Sequence, residues 1–275
     1  RILAGDKGNV IENNYGDYYG LKLTIDKNVQ EIAYDACKDM KSGALIVMDI
    51  KTSKILACVS KPDDGYINKC FSNYTVGSVF KLVVAAAALE NNMDLKYTCK
   101  GKIKVADTEY SCQANHIHGE QNIKTALANS CNCYFVNLAL NLGSEKILET
   151  AKKLGFDEYI NIYDSWNIKG SALPDENVLN SKGQLALLGF GQGELLSTPL
   201  QICNSLCTIA NNGIYNNPRL VEGVVDSKGN ININKIEDGK KALSTKTGEK
   251  IVNYMRYVVS SGTGKAADTD KCLSA

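Results

Sequence analysis

The chain has 275 residues, of which 44% are hydrophobic and 22% are charged, and its formal net charge is +1. This composition is ordinary for a globular domain, and the balanced charge gives no indication of nucleic-acid binding or of attraction to an anionic membrane. The longest apolar run, Leu82–Leu89, is far shorter than the ~20 residues that a membrane-spanning helix needs.

The first part of the chain predicts a mixed α/β arrangement. Residues 1–20 are polar and rich in glycine and asparagine, and we expect a lead-in segment that adds little to the core. A short strand at Leu21–Ile25 precedes a helix that begins at Lys27. Two apolar runs, Gly43–Asp49 and Ile55–Ser60, flank a polar turn and predict an antiparallel hairpin.

The stretch Asn73–Asn91 carries the most informative pattern. From Gly77 onwards it is apolar on every side of a helix, which is typical of a buried helix. Ser78 and Lys81 lie three residues apart near the helix start and therefore share a face. Burial lowers the pKa of a lysine amine, so this pair is a candidate nucleophile and base. On these two residues alone, a capping serine beside a rim lysine remains an alternative.

A helical lobe is expected over about residues 91–180. Strand character is weak in Tyr97–Tyr110, helices follow from near Ile123, and Tyr159–Asn180 is expected to be irregular. Within this lobe, Ser130 and Asn132 flank Cys131 between two apolar helical segments. Unpaired polar groups are costly in such a place, so the tripeptide is either a simple interruption or part of a cleft.

The remaining elements favour hairpins over β-α-β repeats. Pro199–Ala210 reads as a helix, Arg219–Val225 and Ile231–Ile236 as a second hairpin, and Ser244 as the cap of a last helix. The fold class predicted is therefore α/β with a mostly antiparallel sheet and helices on both sides.

The cysteines and histidines give no clear metal motif. Ten cysteines are present, but no C-x-x-C pair occurs, so we do not expect a zinc site. His116 and His118 could form a metal pair, yet we expect no third ligand nearby. No metal or organic cofactor is predicted. The cysteines could be paired in an exported protein or all reduced in an organism that lives without oxygen.

Several ordered motifs resemble the transpeptidase domain of class B-like penicillin-binding proteins, a fold shared with serine β-lactamases. The resemblance runs from about Leu21 to the last residue and makes residues 21–275 one such domain. It rests on S-x-x-K and S-x-N signatures and on further segments of the family: Ser78-x-x-Lys81, Ser130-x-Asn132, Leu23-Thr24-Ile25-Asp26 with Gln30, Cys112 with His118-Gly119, Gly191-Gln192-Gly193 through Gln201, Asn211-Asn212-Gly213, and Ser261 through Ala267.

The third motif of the family, K-T-G, has a literal match at Lys246-Thr247-Gly248. In the family that motif lies on a strand beside the cleft and follows the segment that resembles Ser261–Ala267. Here the tripeptide precedes that segment and begins a predicted helix, so we interpret it as a coincidental match. The motif itself, with the C-terminal strands, is then expected beyond Ala275, and residues 1–275 alone would have impaired activity.

The resemblance implies a peptidoglycan D,D-transpeptidase that binds β-lactams covalently. Ser78 would form the acyl-enzyme with a stem peptide, Lys81 would act as its base, and Ser130 would pass a proton to the leaving amine. Asn132 would bind the peptide backbone of the substrate. The same family implies an extracytoplasmic position, an N-terminal membrane anchor in the parent protein and a membrane glycosyltransferase as a partner.

Two alternatives remain open. The S-x-x-K and S-x-N signatures also occur in serine β-lactamases and D,D-carboxypeptidases, which hydrolyse the acyl-enzyme instead of transferring it. A non-catalytic scaffold for a cell-wall glycosyltransferase is the other. A scaffold would not need the four site residues, and Ser78→Ala would leave its function intact.

Overall fold

A computed structural model describes residues 20–65, 67–163, 166–233 and 238–269. Nearly all of the predicted lead-in at residues 1–20 lies outside these ranges, as do residues 270–275 at the end of the chain. The helices are α1 (Lys27–Ala36), α2 (Lys81–Glu90), α3 (Ile123–Ala128), α4 (Asn132–Leu142), α5 (Ser144–Lys153), α6 (Glu176–Leu179), α7 (Lys182–Gly189), α8 (Pro199–Ala210) and α9 (Thr245–Ser261).

The strands are short and pair antiparallel throughout the described ranges. In chain order they are β1 (Gly20–Leu23), β2 (Gly43–Met48), β3 (Ile55–Lys61), β4 (Tyr74–Thr75), β5 (Tyr97–Cys99), β6 (Lys102–Val105), β7 (Thr108–Ser111), β8 (Gly119–Gln121), β9 (Tyr159–Tyr163), β10 (Trp166–Lys169), β11 (Ser171–Ala172), β12 (Leu196–Ser197), β13 (Ile214–Tyr215), β14 (Val221–Val225), β15 (Ile231–Ile233) and β16 (Lys240–Lys241).

The hairpin β2–β3 carries a helix on each face. On one face, Ala33 of α1 and Cys37, the residue after that helix, pack against Ala57 and Val59. On the other, Leu200 of α8 packs in a cluster that includes Ile46 and Ile55 of the two strands. Because side chains alternate along a strand, this hairpin has apolar side chains on both faces, and each face needs a helix to shield it from water. The prediction of an antiparallel sheet with helices on both sides is confirmed.

Polar side chains join the first strand to the rest of the sheet. The Thr24 hydroxyl donates to the backbone oxygens of Ile55 and Arg219 at 2.8 and 2.9 Å. Asp26 caps α1 by accepting from two backbone N–H groups. Gln30 exchanges two hydrogen bonds with the backbone of Cys58. The side chains of Thr24, Asp26 and Gln30 therefore supply hydrogen-bond partners to backbone groups that strand pairing leaves without one.

Helix α2 lies at the centre of the helical part of the molecule. Val83, Val84 and the four alanines Ala85–Ala88 are buried, and α4, α5 and α9 pack around the helix. The alanines let the neighbouring helices approach closely. A helix without a polar face is stable only when it is enclosed in this way, so the predicted burial is confirmed.

The expectation of irregular structure over Tyr159–Asn180 is wrong in part. Strands β9 and β10 form an antiparallel hairpin there, with Ile160 and Ile162 buried in the same cluster as Leu200. The alternation of apolar and polar residues in β9 is the period of a half-buried strand. Across the described parts of the chain, no helix is long and apolar enough to span a membrane.

Candidate active site

The segment that carries Ser78 begins where two glycine loops touch. Gly77 has a φ of +66°, and its N–H donates to the backbone oxygen of Gly191 at 2.8 Å. Gly191 has a φ of +79°, and a Cβ on it would lie 1.9 Å from the Gly77 oxygen. Only glycine allows both the conformation and the approach. The contact with the G-Q-G segment thus fixes the position of the turn that precedes α2.

Ser78 and Lys81 are brought together by a tight helical turn. Gly77–Phe80 form a 3₁₀ turn that continues directly into α2 at Lys81. In such a turn, side chains three residues apart lie one above the other. The Nζ of Lys81 is 3.1 Å from the Oγ of Ser78. Ser78 is exposed whereas Lys81 is 1% exposed, so the hydroxyl faces solvent and the amine faces the core.

The S-x-N segment meets the same amine from the opposite side. Lys81 Nζ donates to the backbone oxygen of Ser130 at 2.8 Å and lies 3.0 Å from the Ser130 Oγ. The Oδ1 of Asn132 accepts from it at 2.7 Å. The Ser130 Oγ is in turn 3.1 Å from the Ser78 Oγ. The two hydroxyls and the amine form a closed triangle through which a proton can move.

The backbone between α3 and α4 explains how Ser130 and Asn132 face one point. Ser130 has a φ of +48°, which is rare outside glycine, and Asn132 is the first residue of α4. The Asn132 Nδ2 donates to the backbone oxygen of Ser111 at 2.9 Å. This bond leaves the Oδ1 pointing at Lys81. Because this backbone directs both side chains to Lys81, it favours the second interpretation of the tripeptide, that it is part of a cleft.

Burial sets the charge state of the amine. Desolvation lowers the pKa of Lys81 from its usual 10.5 to about 8, with the thiols of Cys131 and Cys112 acting weakly in the opposite direction. A lysine with this pKa is partly neutral near physiological pH and can accept a proton. The arrangement therefore brings together a candidate nucleophile, a candidate base and a second hydroxyl.

Lys246-Thr247-Gly248 lies at the other end of α2. The tripeptide forms the first turn of α9, which Ser244 caps, so the predicted helix start is confirmed. The Ser244 hydroxyl donates to the carboxylate of Glu90 at the C-terminal end of α2. Ser78 precedes the N-terminal end of the same ten-residue helix, about 15 Å away along its axis.

The expectation that His118 has no third ligand nearby is wrong. Pairing of β5 with β8 sets Cys99 opposite Gly119, and this brings His118 to the cysteine. The ligand atoms of Cys99, Cys112, His118 and Cys131 all lie within 4.8 Å of one another. Their spacing along the chain follows no familiar metal motif, and only the register of two short strands reveals the cluster. Hydrogen bonds from the Cys131 and Cys133 thiols lower the pKa of Cys112.

The fold and the gathered side chains define a candidate serine acyl-transfer site at the start of a buried helix. The chain belongs to the family of the penicillin binding protein transpeptidase domain, whose family model matches residues 43–273. Stage V sporulation protein D of Bacillus subtilis is 29% identical over 97% of this chain and 46% of its own length. The chain thus spans about half of that relative.

Solved structures show the same fold. The D,D-transpeptidase domain of a peptidoglycan glycosyltransferase from Eggerthella lenta has a TM-score of 0.83 at 24% identity, covering 93% of this chain and 70% of that one. The penicillin G acyl-enzyme complex of penicillin-binding protein A from M. tuberculosis has a TM-score of 0.81 at 22% identity, covering 89% of this chain and 65% of that one.

Proposed function

We propose that this domain, residues 21–275, is the catalytic part of a peptidoglycan D,D-transpeptidase that works through an acyl-enzyme on Ser78. The observation that carries the proposal is the contact of one buried amine with three side chains. Lys81 Nζ reaches the Ser78 Oγ, the Ser130 Oγ and the Asn132 Oδ1 at 3.1, 3.0 and 2.7 Å. The family and the transpeptidase named in the Eggerthella structure support the substrate class.

Acylation begins at the exposed hydroxyl. The Ser78 Oγ attacks the carbonyl carbon between the two terminal D-alanines of a stem peptide, while its proton passes to the neutral Lys81 amine. The carbonyl oxygen becomes an oxyanion, for which the backbone N–H of Ser78 is one donor. The C–N bond then breaks. Ser130 donates its proton to the leaving D-alanine amine and regains one from Lys81, so Lys81 and Ser130 end as they began and the proton of the Ser78 hydroxyl leaves with D-alanine.

Transfer follows the same path in reverse. The amine of a second stem peptide attacks the ester on Ser78 and loses its proton through Ser130 and Lys81. The new peptide bond forms as the Ser78 oxygen leaves with a proton. Asn132, whose Nδ2 donates to the Ser111 carbonyl, would bind the peptide backbone of the substrate. A β-lactam would acylate Ser78 as D-Ala-D-Ala does, as penicillin G does in the M. tuberculosis protein.

The cellular location of the protein and its partners are inferred from this activity. Peptidoglycan is cross-linked outside the cytoplasm, so the domain would work on the extracytoplasmic face of the membrane. A membrane anchor and a glycosyltransferase partner belong to the same proposal. The proposal assigns no cofactor to the acyl transfer, and its proton transfers run through the side chains of Ser78, Lys81 and Ser130.

The test is a competition between transfer and hydrolysis in the protein as the organism makes it. A donor peptide ending in D-Ala-D-Ala and an acceptor amine are supplied, and both products are measured. We expect the cross-linked product to dominate, and Ser78→Ala to abolish it. Dominant hydrolysis would indicate a β-lactamase or carboxypeptidase. If Ser78→Ala changes neither product nor cell-wall synthesis, a scaffold is the better description.

A further inference from the structure

Four metal-ligating side chains from separate elements meet beside the active site. Cys99 ends β5, Cys112 follows β7, His118 precedes β8, and Cys131 caps α4. The Sγ atoms of Cys99 and Cys112 are 3.7 Å apart, and those of Cys112 and Cys131 are 3.8 Å apart. The Sγ of Cys99 is 3.5 Å from the Nδ1 of His118. The three cysteines are buried, at 0 to 3% exposure.

These separations are those of ligands around one tetrahedral ion. With Zn–S bonds of about 2.3 Å and a Zn–N bond of about 2.0–2.1 Å, two sulfurs of a tetrahedral site lie about 3.8 Å apart, and a sulfur and a nitrogen about 3.5–3.6 Å apart. A disulfide would instead need an S–S distance of about 2.05 Å. We propose that Cys99, Cys112, His118 and Cys131 bind a structural Zn²⁺.

The surroundings of the sulfurs suit thiolates. The N–H of Gly101 donates to the Cys99 Sγ, and the N–H of Tyr134 donates to the Cys131 Sγ, both at 3.4 Å. The second of these donors belongs to the first turn of α4, where the helix dipole favours negative charge. Such bonds stabilise a metal-bound thiolate and fix its direction. A tetrahedral site of three soft thiolates and one imidazole favours zinc among the divalent metal ions that are commonly available to a cell.

Cys133 lies next to the site without completing the set. Its Sγ is 3.5 Å from that of Cys112. It is not one of the four residues whose ligand atoms lie within 4.8 Å of one another. With three thiolates and an imidazole the coordination shell is full, as in other structural sites. Binding releases the protons of the three thiols to solvent, and no electron is transferred.

The ion would hold the S-x-N segment in place. Cys131 stands between Ser130 and Asn132, the two residues that contact the Lys81 amine. Cys99, Cys112 and His118 come from the strands and loop on the far side of the ion. Zinc would therefore tie the turn with the φ of +48° at Ser130 to the two small hairpins β5–β8 and β6–β7, in addition to the Asn132–Ser111 bond. The ligands are positioning residues and do not touch substrate.

The first test is metal content. The protein is produced with zinc in the medium, dialysed, and measured by elemental analysis. We expect one zinc per chain, and less than about a tenth of that in Cys112→Ser, since a missing thiolate removes much of the binding energy. Cys37→Ser, a buried cysteine under the β2–β3 hairpin, is the matched control and should keep the full amount. Cys133→Ser should keep it as well.

A second measurement does not depend on how the variants fold. Zinc is removed from the wild-type protein with a chelator and replaced by Co²⁺. We expect the strong near-ultraviolet absorption of thiolate–cobalt bonds and the visible bands of a tetrahedral ion. A protein with no bound zinc and fully reactive thiols, with iron in place of zinc, or with a Cys99–Cys112 disulfide would overturn the proposal. The metal stoichiometry is independent of acylation, so it can hold even if the proposed function fails.

Discussion

The Nζ of Lys81 lies 2.7 Å from the Oδ1 of Asn132, a residue that follows it by 51 positions and begins another helix. The contact gives a buried amine a neutral acceptor instead of a carboxylate. Because an amide oxygen does not stabilise the charged form as a carboxylate does, burial dominates and the pKa of Lys81 falls to about 8.

The rate of acylation should therefore follow the neutral form of Lys81. Below a pKa of about 8 the neutral fraction grows about ten-fold for each pH unit, and above that pKa it levels off. We expect the second-order rate of penicillin acylation to rise in this way between pH 6 and 8. Stopped-flow or quenched mass spectrometry measures the profile. A rate that is flat over this range would contradict the role of Lys81 as the base.

Asn132→Asp should move that profile to higher pH. A carboxylate in contact with the amine favours its charged form and raises the pKa of lysine by roughly 1–3 units. The neutral fraction at pH 7 falls accordingly, so acylation slows and its midpoint shifts upward. Asn137→Asp on the same helix is the control, because Asn137 bonds to Asn141 and not to Lys81. An unshifted midpoint in Asn132→Asp would show that the two residues are not coupled.

Ser130→Ala should slow acylation without preventing attack by Ser78. Loss of a positioned proton donor typically costs ~10²–10⁴ in rate. The Ser78–Lys81 pair keeps its own 3.1 Å contact in this variant, so a slow adduct should still form at Ser78. Single-turnover mass spectrometry gives both the rate and the site. A rate within a factor of about two of wild type would remove Ser130 from the proton path.

Gly191→Ala should be more damaging than an alanine at another left-handed glycine. Gly143 has a φ of +88° with open space around its Cβ position, so Gly143→Ala should cost only the conformational ~1–3 kcal/mol. At Gly191 the added Cβ would lie 1.9 Å from the Gly77 oxygen, and overpacking adds ~1–3 kcal/mol. Denaturant unfolding measures both. Equal losses in the free energy of unfolding would mean that the backbone at Gly77 and Gly191 can shift to accept the added Cβ at little cost.

Lys246→Ala should leave penicillin acylation unchanged. Lys246 belongs to the first turn of α9, near Glu90 and far from Ser78. Lys81→Ala, measured beside it, should lower the rate ~10²–10⁴-fold. A comparable loss in Lys246→Ala would restore Lys246-Thr247-Gly248 as the third motif of the family and contradict its interpretation as a coincidental match.

Local patterns predicted most of the fold. The all-round apolar sequence of α2, the cap at Ser244 and the two apolar runs of the β2–β3 hairpin each carry their own signal, and each was found where expected. The hairpin β9–β10 was not predicted, although Ile160 and Ile162 alternate with polar neighbours. Short strands in the helical lobe have too few residues for their period to stand out.

The candidate site was only partly visible in the sequence. Ser78 and Lys81 are neighbours on one turn, so spacing alone brings them together. The approach of Ser130 and Asn132 depends on a left-handed residue and on packing between α3 and α4, which local patterns do not specify. The thiol and imidazole cluster depends on the register of β5 with β8, and a search for closely spaced cysteines could not find it.

The most direct test of the account is covalent labelling of Ser78. The protein as the organism makes it is incubated with benzylpenicillin, and its intact mass and proteolytic peptides are measured beside those of Ser78→Ala. We expect one penicilloyl group per chain, located on the peptide that contains Ser78, and none in the variant. No adduct on the wild-type protein, or an adduct that persists in Ser78→Ala, would contradict it.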